Sequence, residues 1–98
     1  MYATIRQYDI LGDPTELNRL VQEEFVPLMQ SLPGFISYQW IDVGDVGGRM
    51  LSVSVFDTAE HAEDSNKAAA ATILSHPGFC PTASFVEAGP VVAFGQAK

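Results

Sequence analysis

The chain has 98 residues, 47% of them hydrophobic, and carries 12 acidic and 5 basic side chains, which gives a formal net charge of −7 at pH 7. This charge argues against nucleic acid and against an anionic membrane as partners, because both favour clustered Lys and Arg. One cysteine cannot form an internal disulfide, and no apolar run reaches membrane-spanning length. The N-terminus shows no secretory pattern. We therefore expect one cytoplasmic domain over residues 1–98.

Two short patterns recur at an offset of 44 residues. Residues 13–16 (Asp-Pro-Thr-Glu) return as residues 57–60 (Asp-Thr-Ala-Glu), and residues 31–35 (Ser-Leu-Pro-Gly-Phe) return as residues 75–79 (Ser-His-Pro-Gly-Phe). The first pattern is typical of a helix start. The Asp side chain accepts hydrogen bonds from the free backbone N–H groups of the first turn, and the Glu side chain accepts one from the N–H of the Asp. The second is typical of a helix end. The repeat predicts two β-α-β halves related by pseudo-symmetry.

The first half begins with a strand over residues 2–10, which are rich in β-branched and aromatic side chains. Asp13 should cap the following helix, with Pro14 at its first position. Pro27 should kink the last turn of this helix, because it cannot donate to the carbonyl of Glu23. A second strand is predicted over residues 35–43, with Phe35 on the opposite face from Tyr38.

The second half follows a hairpin loop at residues 44–48. A strand is predicted over residues 49–56, a helix from about residue 58 to 75, and a last strand from residue 84 to about 94. Gly89 and Pro90 interrupt this strand, so it should lie at an edge of the sheet or contain a bulge there. The order β-α-β-β-α-β predicts the α+β ferredoxin-like fold, an antiparallel sheet with two helices on one face.

Two helices can cover only one face of that sheet, yet the predicted strands carry apolar residues on both faces. A second copy of the chain is the simplest partner for the uncovered face. We therefore expect a homodimer formed through the sheet.

Strong catalytic or metal-binding motifs are missing from the sequence. His61 and His76 lie at opposite ends of the second predicted helix, too far apart to share a metal ion there. Cys80, between Phe79 and Pro81, has no histidine close in sequence that could act as a base, so we interpret it as a packing residue.

The second predicted helix has an unusual apolar face. The stripe consists of small residues with one amide among them: Ala59, Ala62, Asn66, Ala69, Ala70 and Ile73. Such a stripe can leave a cleft above the sheet, in which Asn66 would need a polar partner such as Ser52, Ser54 or Tyr38. The alternative is that Asn66 turns to solvent and the alanines pack tightly on the strands.

Four further side chains are candidates for a site. Tyr38 and Trp40 share one face of the second strand, as core or interface aromatics or as the wall of a pocket for a flat ligand. Arg6 should point into a buried layer if its strand is central, either paired with a carboxylate or anchoring an anionic ligand. His61 should be exposed, or else carry a proton at the rim of the cleft.

Several segments resemble the antibiotic biosynthesis monooxygenase family, of the dimeric α+β barrel superfamily. They are residues 1–6 (Met-Tyr-Ala-Thr-Ile-Arg), residues 32–35 (Leu-Pro-Gly-Phe) leading to Tyr38, residues 52–57 (Ser-Val-Ser-Val-Phe-Asp) and residues 63–66 (Glu-Asp-Ser-Asn). The resemblance implies a protomer whose sheet packs on that of its partner. It also implies oxygenation of an aromatic substrate without metal, flavin or haem. The haem-degrading branch carries Asn on the first strand and Trp and His on the second helix. This sequence lacks that strand Asn and has Ser65 near the Trp position, so we do not expect haem.

The leading hypothesis is a cofactor-independent monooxygenase acting on a small aromatic or phenolic compound, with no metal. The catalytic candidates are Asn66, Arg6 and His61. The substrate-binding candidates are Tyr38, Trp40, Ser54, Ala62 and Ala70. Two alternatives stay open: a non-catalytic ligand-binding or degenerate relative, and a lyase or isomerase that would need His61 with Glu60 or Asp64 in the cleft.

Overall fold

The computed structural model describes residues 1–9, 14–44, 48–75 and 83–97. Its four strands pair as one antiparallel sheet in the order β2-β3-β1-β4. The strands are β1 (Tyr2–Asp9), β2 (Phe35–Asp42), β3 (Arg49–Phe56) and β4 (Phe85–Pro90). A first helix over residues 15–30 and a second helix (Ala59–Ser75) pack on one face. This is the α+β ferredoxin-like fold that the sequence predicts.

Some sequence predictions concern residues outside those described. They include the cap Asp13, the middle of the hairpin loop (residues 45–47) and the second helix end at residues 76–79. His76 and Cys80 also lie there.

The strand register sets which side chains face the helices. On β3 the helix side carries Met50, Ser52, Ser54 and Phe56, all of them buried. Because paired residues point to the same face, this register places Arg6 on the helix side of the central strand β1. Arg6 therefore occupies the buried layer that the sequence predicts.

One predicted face assignment is wrong. The register of β2 shifts between Phe35 and Ser37, so that Phe35 pairs with Phe56 and Tyr38 pairs with Ser54. Phe35 therefore lies on the same face as Tyr38, and its ring meets the Phe56 ring edge-on at 5.8 Å. The cause is a β-bulge, an extra residue that strict alternation along the sequence does not include.

The first helix is interrupted one turn before the kink that the sequence predicts at Pro27. An α-helical segment (Thr15–Leu20) leads into a π-helical turn (Val21–Phe25) and then a second α-helical segment (Val26–Gln30). The wider turn ends two residues before Pro27 and contains Glu23, whose carbonyl the proline ring would meet in a regular α-helix. The buried face of this helix carries large side chains, namely Leu17, Val21, Phe25 and Met29.

The second helix begins beside the turn that ends the first. Thr58 Oγ1 accepts from the backbone N–H of His61 at 3.1 Å, so Thr58 supplies the cap that the sequence assigned to Asp57. Asp57 instead contacts His61 Nδ1 at 2.6 Å and donates its backbone N–H to the carbonyl of Gly34 at 2.9 Å. Gly34 has φ +77°, and a Cβ there would collide with both side chains. Glycine is required at this position.

Candidate functional site

A cleft of about 200 Å³ lies between the second helix and strands β1 and β4; we call it the Asn66 cleft. The helix contributes Ala62, Glu63 and Asn66, together with Ala59. The strands contribute Tyr2, Thr4 and Ala88. Ala62 and Thr4 are almost fully buried, whereas Asn66 is half-buried. The small side chains of this helix therefore leave a hollow with an amide in its wall, which is the first of the two arrangements that the sequence allows.

The polar partner of Asn66 is Arg6. The guanidinium Nη2 of Arg6 donates to Oδ1 of Asn66 in a short hydrogen bond. A guanidinium has only donors, so it meets the oxygen of the amide. This bond uses the amide oxygen and leaves the NH₂ group of Asn66, a lining residue of the cleft, as a hydrogen-bond donor. Among the described residues Arg6 pairs with this amide and with no carboxylate, so the first of the two alternatives for Arg6, pairing with a carboxylate, is wrong.

The predicted partners of Asn66 were Ser52, Ser54 and Tyr38, and this prediction is wrong because of the strand order. Ser54 is buried on β3, where it pairs with Thr4 of β1 on one side and Tyr38 of β2 on the other. The Asn66 cleft is formed by β1 and β4 instead.

A second, larger cleft of about 360 Å³ lies between the first helix and strands β2 and β3; we call it the Trp40 cleft. Its apolar lining includes Val21, Val26 and Met50, and Tyr38 and Trp40 form an aromatic wall. Both rings pack on other aromatic rings. The ring centroids of Trp40 and Tyr8 are 5.5 Å apart, and those of Tyr38 and Phe25 are 5.3 Å apart.

The polar lining of the Trp40 cleft is also organised. Trp40 Nε1 donates to Asn18 Oδ1 at 2.8 Å, which leaves the Asn18 amide nitrogen as a donor. Asp42 accepts from the backbone N–H of Gly44 at 2.8 Å through Oδ1 and has its second carboxylate oxygen left over. Gln22 completes the polar lining.

The two clefts divide the predicted site residues into two groups. Asn66, Ala62 and Arg6 belong to the Asn66 cleft or touch its amide, while Tyr38 and Trp40 line the other cleft. The strand β3 separates them, because it lies between β2 and β1. The predicted aromatic wall therefore does not face the predicted amide.

Three predicted site residues line neither cleft, namely Ser54, Ala70 and His61, and Arg6 is connected to the Asn66 cleft through its bond to Asn66. Ala70 is exposed: the buried line of the second helix runs through Ala62, Ser65 and Ala69, and Ala70 lies one residue further around the helix. His61 is held against Asp57 at the start of the helix and is partly exposed. This position gives no support to an acid–base pair of His61 with Glu60 or Asp64 inside a cleft.

The contact between His61 and Asp57 perturbs both groups. The hydrogen bond to the Asp57 carboxylate raises the pKa of His61, and the negative charges of Asp57, Asp64 and Glu60 add to this effect. The same hydrogen bond lowers the pKa of Asp57. The contact therefore favours the protonated form of His61 and the ionised form of Asp57. It lies at the junction between the two halves of the chain.

The Asn66 cleft does not fit a haem group. Its volume of about 200 Å³ is too small for a porphyrin, and among its described lining residues there is no histidine to bind iron. Within residues 1–9, 14–44, 48–75 and 83–97, no group of three His, Cys, Asp or Glu side chains is arranged for a metal ion. In those same ranges, no helix has the length and apolar character needed to cross a membrane.

Sequence reasoning missed several lining residues. Glu63 is the carboxylate of the Asn66 cleft, and its place one turn before Asn66 on the same helix face could have indicated it. Ser65 was missed in the buried line of the helix; its hydroxyl donates to the carbonyl of Ala62 at 2.6 Å. Asn18 and Gln22 of the first helix, which line the Trp40 cleft, were missed as well.

Comparison with known proteins identifies the fold. No family model and no curated protein matches the sequence. Solved structures do match. One is a candidate antibiotic biosynthesis monooxygenase from Chloroflexus aurantiacus, with a TM-score of 0.70 and 18% identity, over 96% of both chains. Another is SnoaB, a cofactor-independent oxygenase from Streptomyces nogalater, with a TM-score of 0.60 and 18% identity, over 97% of this chain and 94% of that one.

A third similar structure binds a metalloporphyrin. It is a variant of MhuD with two manganese protoporphyrin IX groups in each active site, with a TM-score of 0.74 and 16% identity, over 99% of this chain and all of that one. At these identities the likeness shows the fold. The chain has the ferredoxin-like fold of the antibiotic biosynthesis monooxygenases, which confirms the resemblance at the level of structure.

Proposed function

We propose that the protein is a cofactor-independent monooxygenase whose substrate is a small phenol or anthrone-type compound bound in the Asn66 cleft. The observation that carries this proposal is the Arg6–Asn66 hydrogen bond, which uses the amide oxygen of a cleft-lining residue and leaves its NH₂ group as the donor. A similar fold in a cofactor-independent oxygenase supports the reaction class. Ligand pockets usually measure about 300–1,000 Å³. The smaller Asn66 cleft therefore favours a compact substrate.

The reaction needs little from the protein besides binding and electrostatics. The substrate loses a proton and its anion transfers an electron to O₂; recombination and loss of water then give a quinone. One oxygen atom enters the product and the other leaves in water. A donor aimed at the substrate oxygen stabilises the anion, and Asn66 NH₂ fills this role. Glu63 is the carboxylate placed to take the proton.

The test is oxygen uptake with an anthrone by wild type and Asn66→Ala. Loss of one oxyanion donor typically lowers the rate by about 10²–10³-fold, and we expect a fall of at least about tenfold. Gln22→Ala is the matched control, because it removes an amide from the other cleft and should leave the rate unchanged. Equal rates for wild type and Asn66→Ala would remove Asn66 from the mechanism. Anthrone binding without oxygen uptake would favour the ligand-binding alternative.

We also propose a homodimer through the face of the sheet that the helices leave uncovered. Ile5, Ile41 and Phe85 lie on that face by register and are 40%, 41% and 45% exposed. An apolar face of this kind is typical of an interaction surface. Sedimentation equilibrium should give twice the chain mass of 10.6 kDa. Val53→Glu, in the middle of this face, should give the single chain mass, and a monomeric wild type would contradict the proposal.

A further inference from the structure

We propose that the Trp40 cleft is a second binding site, separate from the Asn66 cleft, and that it takes a small organic cation with an aromatic or alicyclic body. This proposal does not depend on the proposed oxygenase activity. It follows from the size, the rigidity and the charge of the cleft.

The size and the wall suit a small molecule. The volume of about 360 Å³ falls within the usual range for ligand pockets, about 300–1,000 Å³. Each of the two rings of the wall packs on a second aromatic ring: Trp40 packs on Tyr8, and Tyr38 packs on Phe25. The hydrogen bond from Trp40 Nε1 to Asn18 fixes the indole further. A ligand therefore meets a wall that is already ordered, and its binding costs little side-chain entropy.

The sequence repeat places this cleft in correspondence with the first one. At the offset of 44 residues, Gln22 corresponds to Asn66 and Asn18 corresponds to Ala62. All four residues line a cleft. Each helix thus lines a cleft with an amide side chain at the corresponding position. The two clefts differ in the charged side chains that line them.

The charges favour a cation. Asp42 is the one formally charged side chain among the described lining residues of the Trp40 cleft. One of its oxygens is fixed by the N–H of Gly44, and the other is left for a ligand. The basic residue beside Asn18, Arg19, is engaged by Glu16 and Glu23. An ammonium group beside Trp40 can pair with Asp42 of the same cleft, and tryptophan gives the strongest cation–π attraction.

The chain offers a direct reporter, since Trp40 is its single tryptophan. We would titrate the protein with 2-phenylethylammonium and follow tryptophan fluorescence, with backbone amide chemical shifts as a second readout. We expect a saturable fluorescence change and shift changes confined to residues 18–26, 38–44 and 48–52, the segments that carry the cleft lining. The neutral 2-phenylethanol should bind at least about fivefold more weakly, and the anion 3-phenylpropionate should give no saturable response.

The variant that tests the charge is Asp42→Asn. Asp42 is exposed, and an amide oxygen can still accept from Gly44, so the variant should fold. It should weaken 2-phenylethylammonium binding at least about fivefold, and 0.5 M NaCl should weaken binding to the wild type. Asn66→Ala is the matched control and should bind like wild type. Equal binding of 2-phenylethanol, no effect of Asp42→Asn, or shift changes around the Asn66 cleft would overturn the proposal.

Discussion

The two halves of the chain use one pattern to make two different clefts. At the repeat offset, Phe25 of the first helix corresponds to Ala69 of the second, and the two are almost equally buried, at 8% and 9% exposed. Phe25 fills its space with a ring that packs on Tyr38, whereas Ala69 has only a methyl group. The first helix therefore contributes more apolar burial. The second helix lies over a smaller hollow that holds a polar contact between an amide and Arg6.

This difference predicts where stability resides. Phe25→Ala should lower the free energy of unfolding by about 3–5 kcal/mol, because it removes a buried ring and leaves a cavity. The matched change in the second half, Ala69→Gly, should cost only about 1 kcal/mol, the usual penalty for glycine within a helix. Urea unfolding followed by circular dichroism measures both. Similar losses for the two variants would show that the halves contribute equally.

A second pair of variants should close one cleft at a time. Ala62 is 2% exposed in the Asn66 cleft, so Ala62→Leu should overpack it at a cost of about 1–3 kcal/mol. We expect this variant to lose oxygen uptake and to retain 2-phenylethylammonium binding. Asn18→Leu, at the corresponding position, should have the opposite effect. Loss of both functions in either variant, with the fold intact by circular dichroism, would mean that the two clefts are not independent.

The junction of the halves depends on Gly34. Gly34→Ala places a Cβ against Asp57 and His61 and forces alanine into the left-handed region, so it should cost about 1–3 kcal/mol. Gly44→Ala is the control, because Gly44 has a similar φ of +76° and open space around its Cα. Thermal unfolding of both variants separates backbone strain from crowding. A smaller loss for Gly34→Ala than for Gly44→Ala would contradict the close packing of Gly34 against Asp57 and His61.

The smallest effect should come from the exposed pair at the same junction. The pKa of His61 is raised, so its contribution to stability is full below the unfolded value of about 6.5 and is lost as pH rises through the folded value. The pKa of Asp57 is lowered, so its contribution is present above about 3.8 and is lost as pH falls through the folded value. Between these limits the pair is fully charged.

His61→Gln should therefore lower the melting temperature most near pH 5–6 and least above pH 8. Thermal unfolding of the variant and wild type across this range measures the difference. A constant difference at every pH would show that the charged pair contributes nothing.

The sequence by itself determined the order of the elements and the small-residue face of the second helix. Caps, Pro-Gly stops and strand alternation act within a few residues, so they can be interpreted without long-range contacts. Two further features had local signals of this kind. The small-residue stripe indicated the hollow beside Asn66, and Pro27 indicated an irregularity in the first helix.

Only the tertiary structure decided which residues share a cleft. The pairing of strands distant in sequence put β3 between Tyr38 and Thr4. The aromatic wall therefore lies in one cleft and the amide of Asn66 in the other. The same pairing placed the guanidinium of Arg6 beneath Asn66, 60 residues away along the chain. A bulge in β2 moved Phe35 to the helix side. Periodicity along one segment carries no information about such pairings, because they depend on how separate segments pack.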